Sequence, residues 1–457
     1  MVQIRDTLAR DTVELTTREP GTVSMYVCGI TPYDTPHIGN ARTAVAFDTI
    51  RRYLEWSGFD VTYVSNITDV EDKIIARAAR EGRTEPEVAA EFEGAYADQM
   101  HRLNVRDADH EPRATEYIER MLALVGELVH SGHAYEVPGQ GVYFAVETFP
   151  GYGALPHRTI EELRESAGAR VDVDDAKRSP MDFALWKAAR PGEPSWPSPW
   201  GDGRPGWHIE CSAMALDLLG EGFDLHGGGE DLAFPHHENE RAQAEGAGHP
   251  FARHWIHTGM VTVGGDKMSK SLGNFTTVDD ALATHEWRAL RLAMVQTHYR
   301  RAADLGEPEL TAAARAIERL DALFRRADAA GVVRGVTAGA ATVDAFRAAM
   351  DDDFDTTHGL AVLFEAARDA NRAIDDGELD RAATLLAAVH ELLDVLGLDA
   401  SAGDGDGGDD ADIDALVRER DEARAARDFA RADTLRDDLT ARGIKLEDTP
   451  TGTIWHR

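Results

Sequence analysis

Cysteine and lysine are the scarce residues of this chain. Only two cysteines, Cys28 and Cys211, occur in 457 residues. That excludes a disulfide framework and fits a reducing compartment. Neither belongs to a CxxC pair, so no metal site can be read from cysteine spacing alone. Lysine occurs six times, as Lys73, Lys177, Lys187, Lys267, Lys270 and Lys445. With Lys plus Arg at 48 against Asp plus Glu at 82, the net charge is −34. Such a lysine-poor acidic surface suits a halophile: at molar salt the Debye length is about 3 Å and self-repulsion is largely screened. The acidity therefore describes the environment more than the ligand, and a nucleic-acid partner would need local arginine patches. No apolar run approaches the roughly 20 residues of a membrane helix, and the start, MVQIRDTLARDTVEL, has no signal-like pattern. The expectation is a soluble cytoplasmic protein without a membrane partner, long enough for two to four domains.

Chemistry-bearing residues concentrate in residues 207–240, WHIECSAMALDLLGEGFDLHGGGEDLAFPHHENE. His236 and Glu240 are four apart in a segment whose pattern predicts a helix, so both leave one face. Cys211 opens an apolar run, and Cys28 lies at the end of a predicted strand. Two thiolates, an imidazole and a carboxylate form a donor set suited to zinc. The spacing equally allows two buried core cysteines and a surface pair of His236 with Glu240.

Near the N-terminus, Thr22–Ile30 reads as a buried strand, residues 36–58 as a helix and 59–66 as a second strand. This βαβ unit predicts a parallel sheet with a ligand crevice at its strand ends. His37-Ile38-Gly39-Asn40 opens the helix, where backbone N–H groups and the dipole favour phosphate; a simple capping turn would look the same. Far downstream, the glycine-flanked segment GGDKMSKSLGN carries Lys267 and Lys270, two of the six lysines.

HIGN followed by KMSKS resembles the paired signatures of class I aminoacyl-tRNA synthetases. The intervening residues, Tyr26-Val27-Cys28-Gly29, Asn66-Ile67-Thr68-Asp69, Trp207-His208-Ile209-Glu210-Cys211 and His226-Gly227-Gly228-Gly229 through Pro235-His236-His237-Glu238-Asn239-Glu240, narrow the resemblance to the cysteinyl-tRNA synthetase family. The first signature ends in Asn40 where the class has histidine, and asparagine can still donate to a phosphate oxygen. The resemblance implies an α/β fold: a Rossmann-type parallel-sheet catalytic domain with a connective insert, a helical bundle and a small C-terminal anticodon-binding module. It places the first catalytic half at 1–112, the insert at 113–205 and the second half with the zinc site at 206–262. The KMSKS region follows at 263–305, then the bundle at 306–400, an acidic linker at 401–412 and the terminal module at 413–457.

The resemblance further implies activation of L-cysteine by ATP and transfer to the terminal adenosine of tRNA(Cys). One Zn2+ per subunit, on Cys28, Cys211, His236 and Glu240, would select the substrate thiolate, and Mg2+ would accompany the ATP. Catalytic positions are then His37, Asn40, Lys267 and Lys270. Gly39, Gly227, Gly228, Gly229 and Asp231 join His37, Asn40 and Lys270 around the nucleotide, and Gly29, Thr68, Trp207, His226 and Asp231 line the cysteine pocket. Four protein donors also describe a closed structural zinc, so substrate binding would require a fifth position or release of a donor, Glu240 first. The insert is too short for a hydrolytic editing domain, which leaves selectivity to the synthetic site.

Residues 278–299 read as largely helical, and 309–329, 343–349, 357–374 and 379–396 as amphipathic helices of a bundle. MDDDFDT (350–356) lacks the spacing and glycine of a calcium loop and reads as a solvated capping turn. In the terminal module, Arg418, Arg420, Arg424, Arg427, Arg431 and Arg436 are either an RNA-facing set or one half of surface ion pairs, and a terminal hairpin would offer Trp455 for base stacking. The expected assembly is a monomer. The alternative function is an ATP-dependent cysteine ligase acting on an amino sugar, which lacks the complete anticodon tail.

Overall fold

The computed structural model describes residues 1–167, 177–268, 275–399, 413, 416–421, 423, 424, 426, 428–441, 444–449 and 452–456. It forms two units, Met1–Asp399 and Ala400–Arg457. Among the described residues, no helix is long and apolar enough to cross a membrane.

The first unit is organised on a four-stranded parallel sheet in the order His254–Thr258, Leu225–Gly229, Thr22–Ile30, Asp60–Ile67. Thr22–Ile30 is buried continuously from Val23 to Cys28, as expected for a strand covered on both faces. Helix Ile38–Trp56 crosses over to Asp60–Ile67 and buries Val45, Phe47, Ile50, Tyr53 and Leu54. The predicted βαβ unit is therefore present with its boundaries moved by one or two residues.

Two glycines allow the close approaches that shape the mouth of this sheet. A Cβ on Gly29 would lie 1.7 Å from the Asn66 carbonyl oxygen, where the register with the neighbouring strand shifts between Val27 and Ile30. On Gly227 it would lie 2.2 Å from the Phe47 ring, so that glycine lets the crossover helix pack onto the strand.

Between the two halves of the sheet lies an antiparallel module, Ala134–Val137, Gly141–Phe144, Phe183–Ala188 and Gly203–Pro205, with helix Ile118–Ser131 beside it. Its core side chains, Val142, Phe144, Leu185 and Trp186, join one apolar cluster with Ile209 and Ala242. The module thus packs on helices Trp207–Leu219 and Glu238–Ala247.

Three expectations need correction. The predicted 278–299 helix is two helices, Val278–Thr284 and Trp287–Val295, because His285 and Glu286 are extended and the second helix starts afresh. Residues 233–237 do not continue helix Glu238–Ala247 regularly, since Phe234 has φ −145° and ψ 131°. The turn in MDDDFDT does cap: Asp355 accepts from the His358 N–H at the start of Thr356–Asp375. It is not simply solvated, however. Asp353 is 4 % exposed and accepts from Tyr299 Oη (2.7 Å), the Arg5 N–H (2.8 Å) and Arg300 Nε. Hydrogen bonds from two separate segments make this burial tolerable.

Helices Glu307–Ala329, Ala340–Met350, Thr356–Asp375 and Leu379–Val395 complete the first unit. An N-terminal hairpin, Gln3–Asp6 with Asp11–Glu14, has no strong sequence signal and was not expected. The second unit contains helix Phe429–Ala441 and the hairpin of Lys445–Thr449 with Gly452–His456. The linker 401–412, Lys270, Arg427 and the Trp455 side chain lie outside the described residues.

Candidate active site

The four expected metal donors meet although they come from three separate elements. Cys28 ends the central strand, Cys211 lies in helix Trp207–Leu219, and His236 and Glu240 flank the start of helix Glu238–Ala247. All four are buried, with one ligand atom from each lying within 4.8 Å of the others. The two sulfurs, 183 positions apart in sequence, are 3.7 Å apart. Glu240 Oε1 lies 3.4 Å from Cys28 Sγ and 3.1 Å from His236 Nε2. His236 and Glu240 are therefore not a surface pair: they are 1 % and 0 % exposed.

A donor set can be tested against a metal by its own spacing. Two thiolates about 2.3 Å from one tetrahedral zinc are about 3.8 Å apart, close to the sulfur separation found here. A second set, Cys28, His226, His237 and Glu240, also converges. It shares Cys28 and Glu240 with the first, so the two cannot be filled together, and the set with two sulfurs better suits a soft cation.

Supporting residues fix how these donors point. His208 Nδ1 lies 2.8 Å from His236 Nδ1, engaging one ring nitrogen and leaving Nε2 toward the cluster. The Trp207 ring stacks on His236 with centroids 4.2 Å apart. His226 Nε2 lies 2.8 Å from Glu240 Oε2, so each carboxylate oxygen has its own neighbour. Asn66 Oδ1 accepts from the Gly29 N–H (3.0 Å) and lies 3.6 Å from Cys211 Sγ, while its Nδ2 donates to Thr68 Oγ1 (3.2 Å). Thr68, Trp207 and His226, expected at the cysteine pocket, thus gather around the cluster.

Burial sets the protonation of the metal-free cluster. It raises the Cys28 and Cys211 thiols, an effect reinforced by Glu240. It pushes His236 well below the usual imidazole range, with His208 and His226 adding to the shift, and takes His208 down to about 3. Neutral imidazole is the form that binds metals. Binding a cation here would require loss of the thiol protons.

The other end of the site is an open cavity of about 460 Å³ lined by Cys28, Gly29, His37, Gly39, Asn40, Thr43, Gly229, Asp231, Thr258, Met268 and Phe275, among others. Cys28 belongs to both the cluster and the cavity wall. His37 caps helix Ile38–Trp56: its Nδ1 accepts from the Gly39 and Asn40 N–H groups at 3.1 and 3.3 Å, and Asn40 Oδ1 accepts from the His37 N–H at 3.1 Å. The expectation of free backbone N–H groups here is corrected, because the imidazole already takes two of them. With Nδ1 accepting, the ring proton sits on Nε2. Of the three glycines in the run, Gly229 lines the cavity, whereas Gly227 and Gly228 pack against Phe47 and His237. Asp231 is exposed on the cavity wall. Lys267 lies in a short strand, Asp266–Lys267, paired with Val261–Val263.

Sequence reasoning quoted His208 and Glu210 within a motif and gave neither a role. His208 could have been suspected from its place one turn before Ser212 on the Cys211 helix, but its His236 contact is purely tertiary. Glu210 is 0 % exposed, and its carboxyl lies against Thr68. Burial raises its pKa well above the ordinary range. No sequence pattern marks it.

The model of the class I (C) tRNA synthetase catalytic domain matches residues 14–315. The chain belongs to the cysteinyl-tRNA synthetase family. A DALR domain model matches 345–400 and a cysteinyl-tRNA ligase anticodon-binding domain model 406–455. A cysteine–tRNA ligase of Halorhodospira halophila is 51 % identical over 446 residues, 96 % of each chain, and one of Alkalilimnicola ehrlichii is 50 % identical over the full length of both. Among solved structures, methionyl-tRNA synthetase of Mycobacterium tuberculosis in complex with methionyl-adenylate superposes with a TM-score of 0.61 at 17 % identity. It covers 90 % of this chain and 96 % of its own, a likeness of fold. The family's anticodon-binding domain in the tail does not favour the amino-sugar ligase.

Proposed function

We propose that this chain activates L-cysteine with ATP to cysteinyl-adenylate and transfers the cysteinyl group to the 3′ adenosine of tRNA(Cys), with zinc on Cys28, Cys211, His236 and Glu240 selecting the substrate. The observation that carries this reading is that Cys28 belongs at once to a buried four-donor cluster and to the wall of the cavity capped by His37 and Asn40. A substrate in that cavity can therefore reach both the cluster and the phosphate-facing helix start. Bound zinc would supply a soft Lewis acid that favours a thiolate over the hydroxyl of serine. An apolar pocket alone separates near-isosteres by about 10 to 200-fold.

The remaining steps belong to the protein's own groups. Adenylate formation needs no protein nucleophile, since the substrate carboxylate attacks the α-phosphorus; the site must orient the reactants and stabilise phosphate charge. His37 Nε2–H and the Asn40 amide would donate to phosphate oxygens at the helix start, and Lys267 and Lys270 would add positive charge to the phosphates, with Mg2+ accompanying ATP. Trp207 holds the His236 ring flat, and the Asn66 hydrogen bond to the Gly29 N–H fixes the backbone beside Cys28. If a donor must leave to admit the substrate, Glu240 yields most readily, because His226 already holds its second oxygen.

Charging of total tRNA with labelled cysteine at molar KCl, with serine as control, tests this reading. Cysteine-only charging, together with zinc bound by the wild-type protein, supports it. Equal charging of serine refutes the zinc filter, and absence of charging by folded protein refutes the activity.

A further inference from the structure

A helix that presents a metal donor at its first turn needs something to set its rotation, and here that support comes from the segment 149–155. Glu240 is the third residue of helix Glu238–Ala247, and His236 lies four positions before it, between that helix and the irregular backbone at Phe234. Local helical geometry relates these two donors to each other but does not fix the pair relative to Cys28 and Cys211, which lie on other elements.

Glu238, Asn239 and Arg241, which surround Glu240 in sequence, are 0 %, 2 % and 6 % exposed. Burying three polar side chains in a row is costly unless each is hydrogen-bonded. Their partners lie in one short segment. Tyr152 Oη donates to Asn239 Oδ1 at 2.6 Å and the Leu155 N–H donates to Glu238 Oε2 at 2.8 Å. Arg241 donates to the Gly151 carbonyl and to Glu238 Oε1, with its guanidinium over the Phe149 ring. The Tyr152 ring also meets Phe234 edge to face at 6.4 Å, so one residue touches the chain on both sides of His236.

Apolar packing alone would allow the helix to turn about its axis, whereas directional hydrogen bonds do not. Side chains lie about 5–6 Å from a helix axis, so a rotation of roughly 10° would displace a carboxylate by about 1 Å. Metal–donor distances tolerate about 0.2 Å.

We infer that Tyr152, through Asn239, is a positioning residue for the His236–Glu240 donor pair, so that the segment 149–155 sets both metal affinity and the discrimination of cysteine from serine. The inference rests on the reading of the cluster as a zinc site, and Tyr152 itself touches neither metal nor substrate.

The test is zinc affinity of the full-length protein, by competition with a chromophoric chelator, for wild type, Tyr152→Phe and Tyr135→Phe. Tyr135 is the control because its buried hydroxyl donates to Asp182 (2.7 Å) and not to any residue of helix Glu238–Ala247. Tyr152→Phe should weaken zinc binding about 10-fold or more, raise KM for cysteine with KM for ATP unchanged and lower the cysteine-to-serine ratio; Tyr135→Phe should change none of these. Unaltered zinc affinity in folded Tyr152→Phe, or the same loss in both variants, would overturn the inference. If Tyr152→Phe does not fold, Asn239→Ala removes the other end of the bond and is read the same way. A wild-type protein that binds no zinc would instead overturn the metal reading itself.

Discussion

The two ends of the active site are built on opposite principles. At the donor cluster, four side chains from three elements converge in the interior, and His208, His226, Asn66 and Trp207 hold their neighbours in place. At the other end, proposed to take the nucleotide, a single helix start folds on itself through His37 and Asn40 and faces a cavity of about 460 Å³. The first arrangement suits discrimination, since donors held at fixed positions by their neighbours favour one kind of incoming atom. The second, an open cavity in which Met268 and Phe275 lie beside Gly39 and His37, suits a ligand that arrives, reacts and leaves.

Substitutions can separate these ends. The largest effect is expected for Cys211→Ser, which removes one soft donor from the interior. Cysteine-dependent pyrophosphate exchange should fall by about 10⁴-fold, with zinc lost and the far-ultraviolet circular dichroism retained. Loss of fold along with activity would mean that the cluster is structural. Next comes Arg291→Met. Arg291 is fully buried, is paired with Asp48 of the helix that His37 caps, and donates to the Leu396, Leu103 and Asn104 carbonyls. Removing one partner of such a pair costs about 3–5 kcal/mol, seen as a lowered denaturation midpoint. It should depress cysteine and ATP parameters together, the signature of a defect that respects neither end.

A smaller and more selective effect is expected for His37→Ala. Loss of the cap costs about 1 kcal/mol, and KM for ATP should rise by about 10-fold or more while zinc affinity is unchanged. A change in zinc affinity would show that the two ends are one mechanical unit.

The smallest effect concerns pH, at a site remote from both ends. His249 lies 2.7 Å from Glu127 and 2.8 Å from Glu221, and these two carboxylates raise its pKa. A raised folded-state pKa contributes stability that is fully present below the unfolded value of about 6.5. It is lost as pH rises through the folded value. Wild type should therefore lose under about 1 kcal/mol relative to His249→Gln between pH 6 and pH 9, by paired thermal melts. A constant difference between the two proteins would refute the assignment.

Much of this was legible in one dimension. The crossover helix, its capping tetrapeptide and the i,i+4 relation of His236 to Glu240 depend on neighbours within about one helical turn. The parallel βαβ start followed from a β-branched run, a helical run and another strand. The break at His285–Glu286 was missed because apolar residues continue across it, and the kink at Phe234 because the surrounding residues suit a helix. The burial of Asp353 was missed because an acidic turn looks solvated unless Tyr299, Arg5 and Arg300 are known to surround it.

By itself, the sequence determined which chemistry was available: two thiols, a histidine and a glutamate at helical spacing, a capped helix start and two lysines retained in a lysine-poor chain. Those are properties of residue type and short separation, set by covalent geometry and local hydrogen bonding. Only the tertiary structure decided that Cys28 and Cys211 stand 3.7 Å apart, that His208 and His226 orient the donors, that Glu210 is buried beside Thr68 and that Tyr152 braces the Glu240 helix. Each of those relations joins residues far apart in the chain or chemically unmarked in it. They arise where elements pack against one another, and no local pattern encodes which distant side chain will fill the facing space.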